Sequence, residues 1–373
     1  MAKAKAKAKP RALPEPEVVQ AVVDEAEAAA DAVEASANDD AIAEVLTALQ
    51  GVVGEDHAQL LGSDGLSIKI KGIISTQVAT IDAAIGRGGV PRSRLTIIHG
   101  AEGSGKTTLA LQIAAECQRV NGVVVYIDKE YKLDPEYAAA LKVNVGKIIY
   151  LQPDHLEGAF AAMEVAIKRL APLRKAGLVG PMVIILDSMN AAITKAQFEG
   201  EWEDKHMAPQ ARVFSELTPK LMPLVHKEDV SLIWISQVRK KVGVVFGDDN
   251  EVAGGNAPKF YASLILFVTR LAKEKDGGEA VGNKIRVDVK KNQIAPPFKK
   301  AECTIVYGRG IDGEIALLQQ GEKLKLVKKS GSWLSVGKER VGQGYKSAAE
   351  HLRENNKLRN KLLRAIKTKL GWE

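Results

Sequence analysis

Residues 95–120 read "LTIIHGAEGSGKTTLALQIAAECQRV": a β-branched apolar run, a glycine-rich turn and a long Ala/Leu-rich segment in immediate succession. The turn fits G-x-x-x-x-G-K-[ST], and the order strand–turn–helix is the context that motif requires. Glycines let backbone amides turn inward, and a helix N-terminus behind them adds a positive dipole end, so the turn is built for phosphate. The candidate nucleotide set is Gly100, Ala101, Glu102, Gly103, Ser104, Gly105, Lys106, Thr107 and Thr108. Lys106 is placed to reach β- and γ-phosphates, and the Thr107 hydroxyl to hold Mg²⁺.

The rest of the chain agrees with an α/β fold. "GVVVYID", "PMVIILDS" and "VSLIWISQ" are short runs of the kind a parallel sheet buries on both faces. "ASLILFVTRL" and "GNKIRVDVKK" read as later strands, antiparallel at a sheet edge. Strands alternating with helical segments predict a doubly wound, largely parallel sheet. Open sheets of this type place chemistry at the carboxyl ends of their strands. Asp187 closes "VIILD" and is the expected Mg²⁺ carboxylate, although a helix cap would also explain it. Glu130 follows "VVVYID" and has the chemistry to deprotonate an attacking water, although position alone does not separate it from a surface glutamate.

Flanking this core are segments of different texture. The start, "MAKAKAKAKPRALPEPE", is basic and low in complexity, and from Glu15 to Asp40 every charged residue is acidic. Residues 1–40 are therefore expected to be a disordered extension. In "AIAEVLTALQ", residues 41–50, Ile42, Val45, Leu46 and Leu49 share one helical face. The expected divisions are a helix-and-strand element over 41–73, a core over 74–312, and a small α+β domain over 313–373. The whole carries a net charge of +7, which permits nucleic-acid binding without requiring it. Two distant cysteines, Cys117 and Cys303, suggest no disulfide framework and favour a reducing cytoplasm. No apolar stretch has membrane-spanning length.

One loop demands a partner. After "VSLIWI", residues 236–256 run "SQVRKKVGVVFGDDNEVAGGN", joining cations to exposed-looking Val and Phe. A partner offering both phosphates and stacked bases would cover both. Arg212, Arg239, Lys240 and the amides of Gly254 and Gly255 suit phosphates, which position a nucleic acid without reading its sequence. Apolar contact with bases is sequence-tolerant, because every base offers a face.

Nine segments in order resemble the bacterial-type RecA recombinases: "GAEGSGKTTLALQ", "IDKEYKLDPEYA", "VIILDSMNAA", "FEGEWEDKHMAPQAR", "WISQVRKKVGVVFG", "GGNAPKFYAS", "NQIAPPFK", "IVYGRGI" and "SWLSVGKERVGQG". The resemblance covers roughly residues 41–350, and "GGNAPKFYAS" with the "QVRKKVGVVFG" loop carries it beyond phosphate-loop proteins generally. It implies a RecA-like phosphate-loop ATPase core with an N-terminal polymerisation element, using ATP and Mg²⁺. It assigns Glu130 to water activation, Asp134 and Tyr137 to adenine, Tyr307 to the nucleotide-binding set, and Gln237 to sensing the γ-phosphate. Two DNA loops are implied at about 199–212 and 238–255, containing or adjoining Trp202, Met207, Arg212, Arg239, Lys240, Val242, Phe246, Gly254, Gly255 and Asn256. Arg270 and Arg286 match a surface for a second, incoming duplex. The implied activity is ATP-dependent pairing and strand exchange by a helical homo-oligomer on single-stranded DNA, with double-stranded DNA as the second partner. A LexA-type repressor and loading mediators are further implied partners, in a cytoplasmic setting without a membrane.

The sequence also departs from that pattern. Two lysines that the family donates to the neighbouring subunit's ATP align with Lys291 and Gln293, so one cation is missing unless Lys290 replaces it. Thr269 and Asp288 stand at basic positions of the second DNA surface, and residues 353–369 hold seven Lys/Arg against Glu354 where the family often has an acidic ending. Two other readings stay open from residues alone: a ring-forming RecA-core helicase-type ATPase, and a non-catalytic filament or mediator protein. The "GGNAPKFYAS" block opposes the first; Lys106 and Glu130 oppose the second.

Overall fold

The structure, a computed structural model, describes residue 24 and residues 38–55, 58–61, 70–201, 209–240 and 250–372. It divides into two compact units, residues 1–69 and 70–373. In the first, helix α1 (residues 38–53) contains the expected amphipathic stretch, with Ile42, Val45 and Leu49 exposed.

The second unit opens with a two-stranded hairpin, β1 (Ile73–Ile74) and β2 (Val90–Pro91), around helix α2 (Ala79–Ile85). The core follows as β3 (Leu95–Gly100), α3 (Lys106–Arg119), β4 (Val123–Asp128), α4 (Pro135–Ala140), β5 (Ile148–Leu151), α5 (Leu156–Lys175) and β6 (Met182–Asp187). It continues through α6 (Lys195–Glu199), α7 (Pro209–Lys227), β7 (Val230–Lys240), β8 (Asn250–Val252), α8 (Ala257–Tyr261), β9 (Ala262–Asp276), β10 (Glu279–Asn292), β11 (Lys300–Val306) and β12 (Gly310–Ile311). The sheet order is β12-β11-β10-β9-β3-β7-β6-β4-β5, and β8 pairs with the far end of β7. From β9 to β5 every pairing is parallel.

Alternation along these strands explains why they read as continuous apolar runs. Ile98, Val124, Tyr126, Val183, Ile185, Ile233 and Ile235 pack in one layer with α3. Leu95, Ile97, Val125, Ile127, Ile184, Leu186, Leu232 and Trp234 pack in the other with α5 and α7. A strand covered on both faces has no side left for polar residues. The same logic corrects the expectation for the later strands. β9 is interior, parallel to β3 and antiparallel to β10, with Leu264, Leu266 and Val268 in one layer and Ala262 and Ile265 in the other. The sheet continues past β10 through β11 to β12, so neither strand is an edge.

The C-terminal domain packs α9 (Gly313–Lys323), α10 (Gly344–Glu354) and α11 (Asn356–Leu370) with a three-stranded sheet, β13 (Val327–Ser330), β14 (Trp333–Val336) and β15 (Glu339–Gln343), around its own apolar cluster. Leu358, Leu362 and Ile366 of α11 are buried, while Lys361, Arg364, Lys367 and Lys369 are exposed. Arg353 and Arg359 are committed instead to ion pairs with Asp312 and Glu314.

Candidate functional site

The phosphate loop, residues 101–105, joins β3 to α3. Gly105 stands at the N-cap of α3 with φ of +100°, and no side chain caps the helix. The amides of its first turn therefore lack a capping side chain and suit an anionic ligand. A Cβ on Gly105 would come within 2.3 Å of Ile305 Cδ1 on β11, which would have to turn aside, and the positive φ itself favours glycine.

Lys106 is buried and donates from Nζ to the Ala101 carbonyl at 2.8 Å, across its own loop. Burial lowers its pKa, while Asp187, Glu130 and Glu102 oppose that shift. Thr107 Oγ1 donates to Asp187 Oδ2 at 2.8 Å, and the Tyr126 hydroxyl donates to the same oxygen at 2.7 Å. Burial raises the Asp187 pKa against these two bonds. A hydroxyl and a carboxylate are hard oxygen donors of the kind Mg²⁺ takes. Among the described residues no group of three or more His, Cys, Asp or Glu is arranged to hold a metal. A cation here would complete its coordination with phosphate oxygens and water, as Mg²⁺ commonly does.

Three neighbouring strands, β4, β6 and β7, bring the remaining groups together. Glu130 Oε1 accepts from Ser188 Oγ at 2.5 Å and from Gln237 Nε2 at 3.1 Å. Glu130 Oε2 lies 3.5 Å from Lys132 Nζ. The Gln237 amide donates to Asn190 Oδ1 at 2.7 Å, fixing the strand from which its side chain reaches. Asp128 organises the loop that carries Glu130. Its Oδ1 accepts from the amides of Glu130 and Tyr131 at 2.9 and 2.8 Å. Its Oδ2 accepts from the amides of Lys132 and Leu133 and from the Tyr150 hydroxyl, each at 3.0 Å. Asp128, Tyr126, Ser188, Asn190 and Lys132 were not singled out from sequence. An aspartate ending a strand before a sharp loop was the available signal for Asp128.

Tyr137 and Tyr307, the residues expected to meet adenine and nucleotide, line one cleft with Gly103, Gly105, Lys106, Thr107 and Thr108. The Tyr137 hydroxyl is 2.8 Å from Thr108 Oγ1. Asp134 sits outside that lining and caps α4 by accepting from the Glu136 amide at 2.8 Å. Lys291 is engaged away from the cleft, donating to the Lys259 and Phe260 carbonyls at 2.8 and 3.0 Å.

The ends of the two expected DNA loops meet. Gly254 has φ of +84°, and a Cβ there would press within 2.7 Å of Phe214 on α7; one on Gly255 would lie 3.1 Å from Ala211. Arg212 is exposed on that part of α7, and Asn256 is exposed at the start of α8. Arg239 and Lys240 are the last residues of β7. Trp202, Met207, Val242 and Phe246 lie outside the described residues. The proposed duplex surface is changed in character. Arg286 Nε pairs with Asp288 Oδ2 at 3.0 Å, and Arg270 extends to the phosphate loop, its Nη1 3.8 Å from where a Gly103 Cβ would stand.

Comparison with known families agrees with this geometry. Residues 40–312 match the RecA N-terminal domain and residues 315–371 the RecA C-terminal domain. This chain belongs to the RecA family. Protein RecA of Legionella pneumophila (strain Corby) is 38% identical over 330 residues, 88% of this chain and 92% of that protein. Protein RecA of Amycolatopsis mediterranei (strain U-32) is 38% identical over 333 residues, 89% and 92% of the two chains. Protein RecA of Campylobacter hominis is 42% identical over 301 residues, 80% and 84%. A crystal structure of the RadB recombinase aligns at 22% identity with a TM-score of 0.45, covering 64% of this chain and 98% of that chain. Membership makes the protein a DNA-dependent, ATP-using recombination and repair ATPase with strand-exchange activity, which binds DNA and forms filaments. It decides against the ring-forming and non-catalytic readings. Among the described residues no helix is long and apolar enough to cross a membrane.

Proposed function

We propose that the phosphate loop and Glu130, at neighbouring strand ends, together form the hydrolytic centre, and that Gln237 couples it to the DNA loops. Lys106 and the α3 amides hold the phosphates, Thr107 and Asp187 hold Mg²⁺, and the cation, when bound, offsets charge on the phosphate oxygens. Tyr137 and Tyr307 flank the base, with Asp134 beside them at the start of α4. Glu130 takes the proton from the attacking water. The observation that carries this reading is the 3.1 Å hydrogen bond from Gln237 to Glu130, which joins the candidate base to the strand that runs into the second DNA loop. A γ-phosphate competing for Gln237 would free Glu130 and shift β7 and its loop together, a two-state device.

Arg212, Arg239, Lys240, Gly254, Gly255 and Asn256 then face single-stranded DNA, with Trp202, Met207, Val242 and Phe246 supplying contacts to bases. The incoming duplex meets Arg270 and Arg286, a surface weakened by the Arg286–Asp288 ion pair, and the exposed cations of α11. Lys291 serves the neighbouring subunit's nucleotide, and the apolar face of α1 docks successive subunits along the filament. A LexA-type repressor and loading mediators complete the proposed partners, in the cytoplasm. The test pairs two variants. Glu130→Gln should bind ATP and form long-lived filaments while hydrolysis falls on the order of 10²–10⁴-fold. Lys106→Ala should lose nucleotide binding and filaments together. Hydrolysis within threefold of wild type in Glu130→Gln would refute the assignment.

A further inference from the structure

The two oxygens of Glu130 stand in different surroundings. Oε1 is held by Ser188 and Gln237, whereas among the described residues Oε2 meets Lys132, whose side chain is 68% exposed and 3.5 Å away. A 3.5 Å pair whose lysine is mostly in solvent holds Oε2 loosely, although Glu130 itself is largely covered. The two contacts on Oε1 also differ from each other. Gln237 is half-buried on β7, and its long side chain has several rotamers. Ser188 is fully buried, directly follows Asp187 at the end of β6, and reaches Glu130 with a single rotatable bond at 2.5 Å. A hydroxyl donating to a carboxylate makes a short, charge-assisted bond that costs little side-chain entropy.

We propose that Ser188 is the positioning residue of the hydrolytic centre: it anchors Oε1 of Glu130 and thereby leaves Oε2 as the oxygen that receives the proton. Ser188 is the contact that remains when Gln237 turns to the γ-phosphate, so Glu130 keeps its aim while the coupling residue moves. The step balances simply. Water gives one proton to Oε2, and its oxygen bonds the γ-phosphorus. The bond from that phosphorus to the β,γ-bridging oxygen breaks, its electron pair leaving with ADP. The proton then passes from Oε2 to bulk water. Ser188 stays neutral throughout and touches neither water nor phosphate. It also ties Glu130, in the loop after β4, to the residue that follows Asp187 at the end of β6, so the cation-side carboxylate and the base are linked across neighbouring strands.

This inference rests on Glu130 being the base, and the experiment separates the two claims. Ser188→Ala should lower kcat for DNA-stimulated ATP hydrolysis on the order of 10- to 100-fold, the effect of losing one charge-assisted hydrogen bond. The KM for ATP should stay within threefold, because Lys106 and Thr107 are untouched. Filaments formed with a non-hydrolysable analogue, and the melting temperature, should match wild type. Ser188→Cys, similar in shape but a weak donor, should fall between Ala and wild type. Should Ser188→Ala fail to assemble, the Cys variant carries the test and must still show lowered kcat at unchanged KM. In a Glu130→Gln background, Ser188→Ala should cost no further activity, since residues acting as one unit are not additive. A kcat within twofold of wild type, or an equal loss on top of Glu130→Gln, overturns the role of Ser188 and leaves Glu130 standing. Full activity in Glu130→Gln alone overturns the base instead.

Discussion

Asp128 offers the sharpest test of how the fold holds its base. Its carboxylate is buried and gathers four consecutive backbone amides, Glu130 to Leu133, and the Tyr150 hydroxyl. Asp128→Asn changes one oxygen to an amino group. If the remaining oxygen keeps the Glu130 and Tyr131 amides, the Lys132 and Leu133 amides lose their acceptor and face a donor. Leaving a part-buried amide unpaired costs about 1 kcal/mol at the low end, and the opposed donors add a similar amount, for a total of about 2–3 kcal/mol. Tyr150 is 42% exposed, and its hydroxyl can turn to water. At the usual unfolding entropy per residue, that loss lowers the melting temperature of a unit this size by roughly 3–5 °C. The loop would shift rather than unfold, carrying Glu130 off its line. Hydrolysis stimulated by single-stranded DNA should drop at least tenfold, while nucleotide affinity, measured by titration with a fluorescent analogue, should hold. Wild-type turnover at an unchanged melting temperature would refute the idea that Asp128 shapes this loop.

Two further predictions use other parts of the chain. Neutralising Lys361, Arg364, Lys367 and Lys369 on the exposed side of α11 should weaken duplex capture and flatten its log–log salt slope by about 0.9 for each phosphate that is no longer neutralised. Single-strand-stimulated hydrolysis should stay within twofold, and an unchanged duplex slope would remove α11 from DNA capture. Burial pushes the Asp82 carboxyl from its ordinary 3.8 up to about 7, against hydrogen bonds from Ser75 and Thr76. The folded state then holds this proton more tightly than the unfolded chain, so the contribution is complete below about pH 4 and is lost as pH rises through about 7. Asp82→Asn should flatten the decline in melting temperature across that window, and an unaltered decline would show that Asp82 stays ionised.

The phosphate loop and the parallel strands were legible because both rest on local rules: a glycine spacing between strand and helix, and apolar runs that two covered faces require. Glu130 was a coin-toss from position alone and became specific only through the "IDKEYKLDPEYA" resemblance. Its partners were harder still. Ser188 reads as a small residue after a strand and Asn190 as a turn residue, and only the adjacency of β4, β6 and β7 brings them to Glu130 and Gln237. The interior place of β9 was missed because strand order is a long-range property. Arg286 illustrates a different gap: a basic residue was visible, but its capture by Asp288 depends on two side chains sharing one face of β10.

Helix α3 begins without a side-chain cap, and in the proposed function that omission would make the nucleotide part of the fold. Helices α4 and α9 are closed by their own residues, Asp134 and Asp312, whereas α2, α8 and α10 share with α3 the lack of a side-chain cap. In the proposed function, the helix behind the phosphate loop is completed by the nucleotide's phosphates. A ligand bound only by the folded form adds about 2.7 kcal/mol at a hundredfold excess over its Kd. The supply of nucleotide in the cell thereby becomes a structural variable. On that reading, a fall in nucleotide would withdraw stability at the loop and first turn of α3, and the protein's persistence as well as its turnover would follow the energy state of its surroundings.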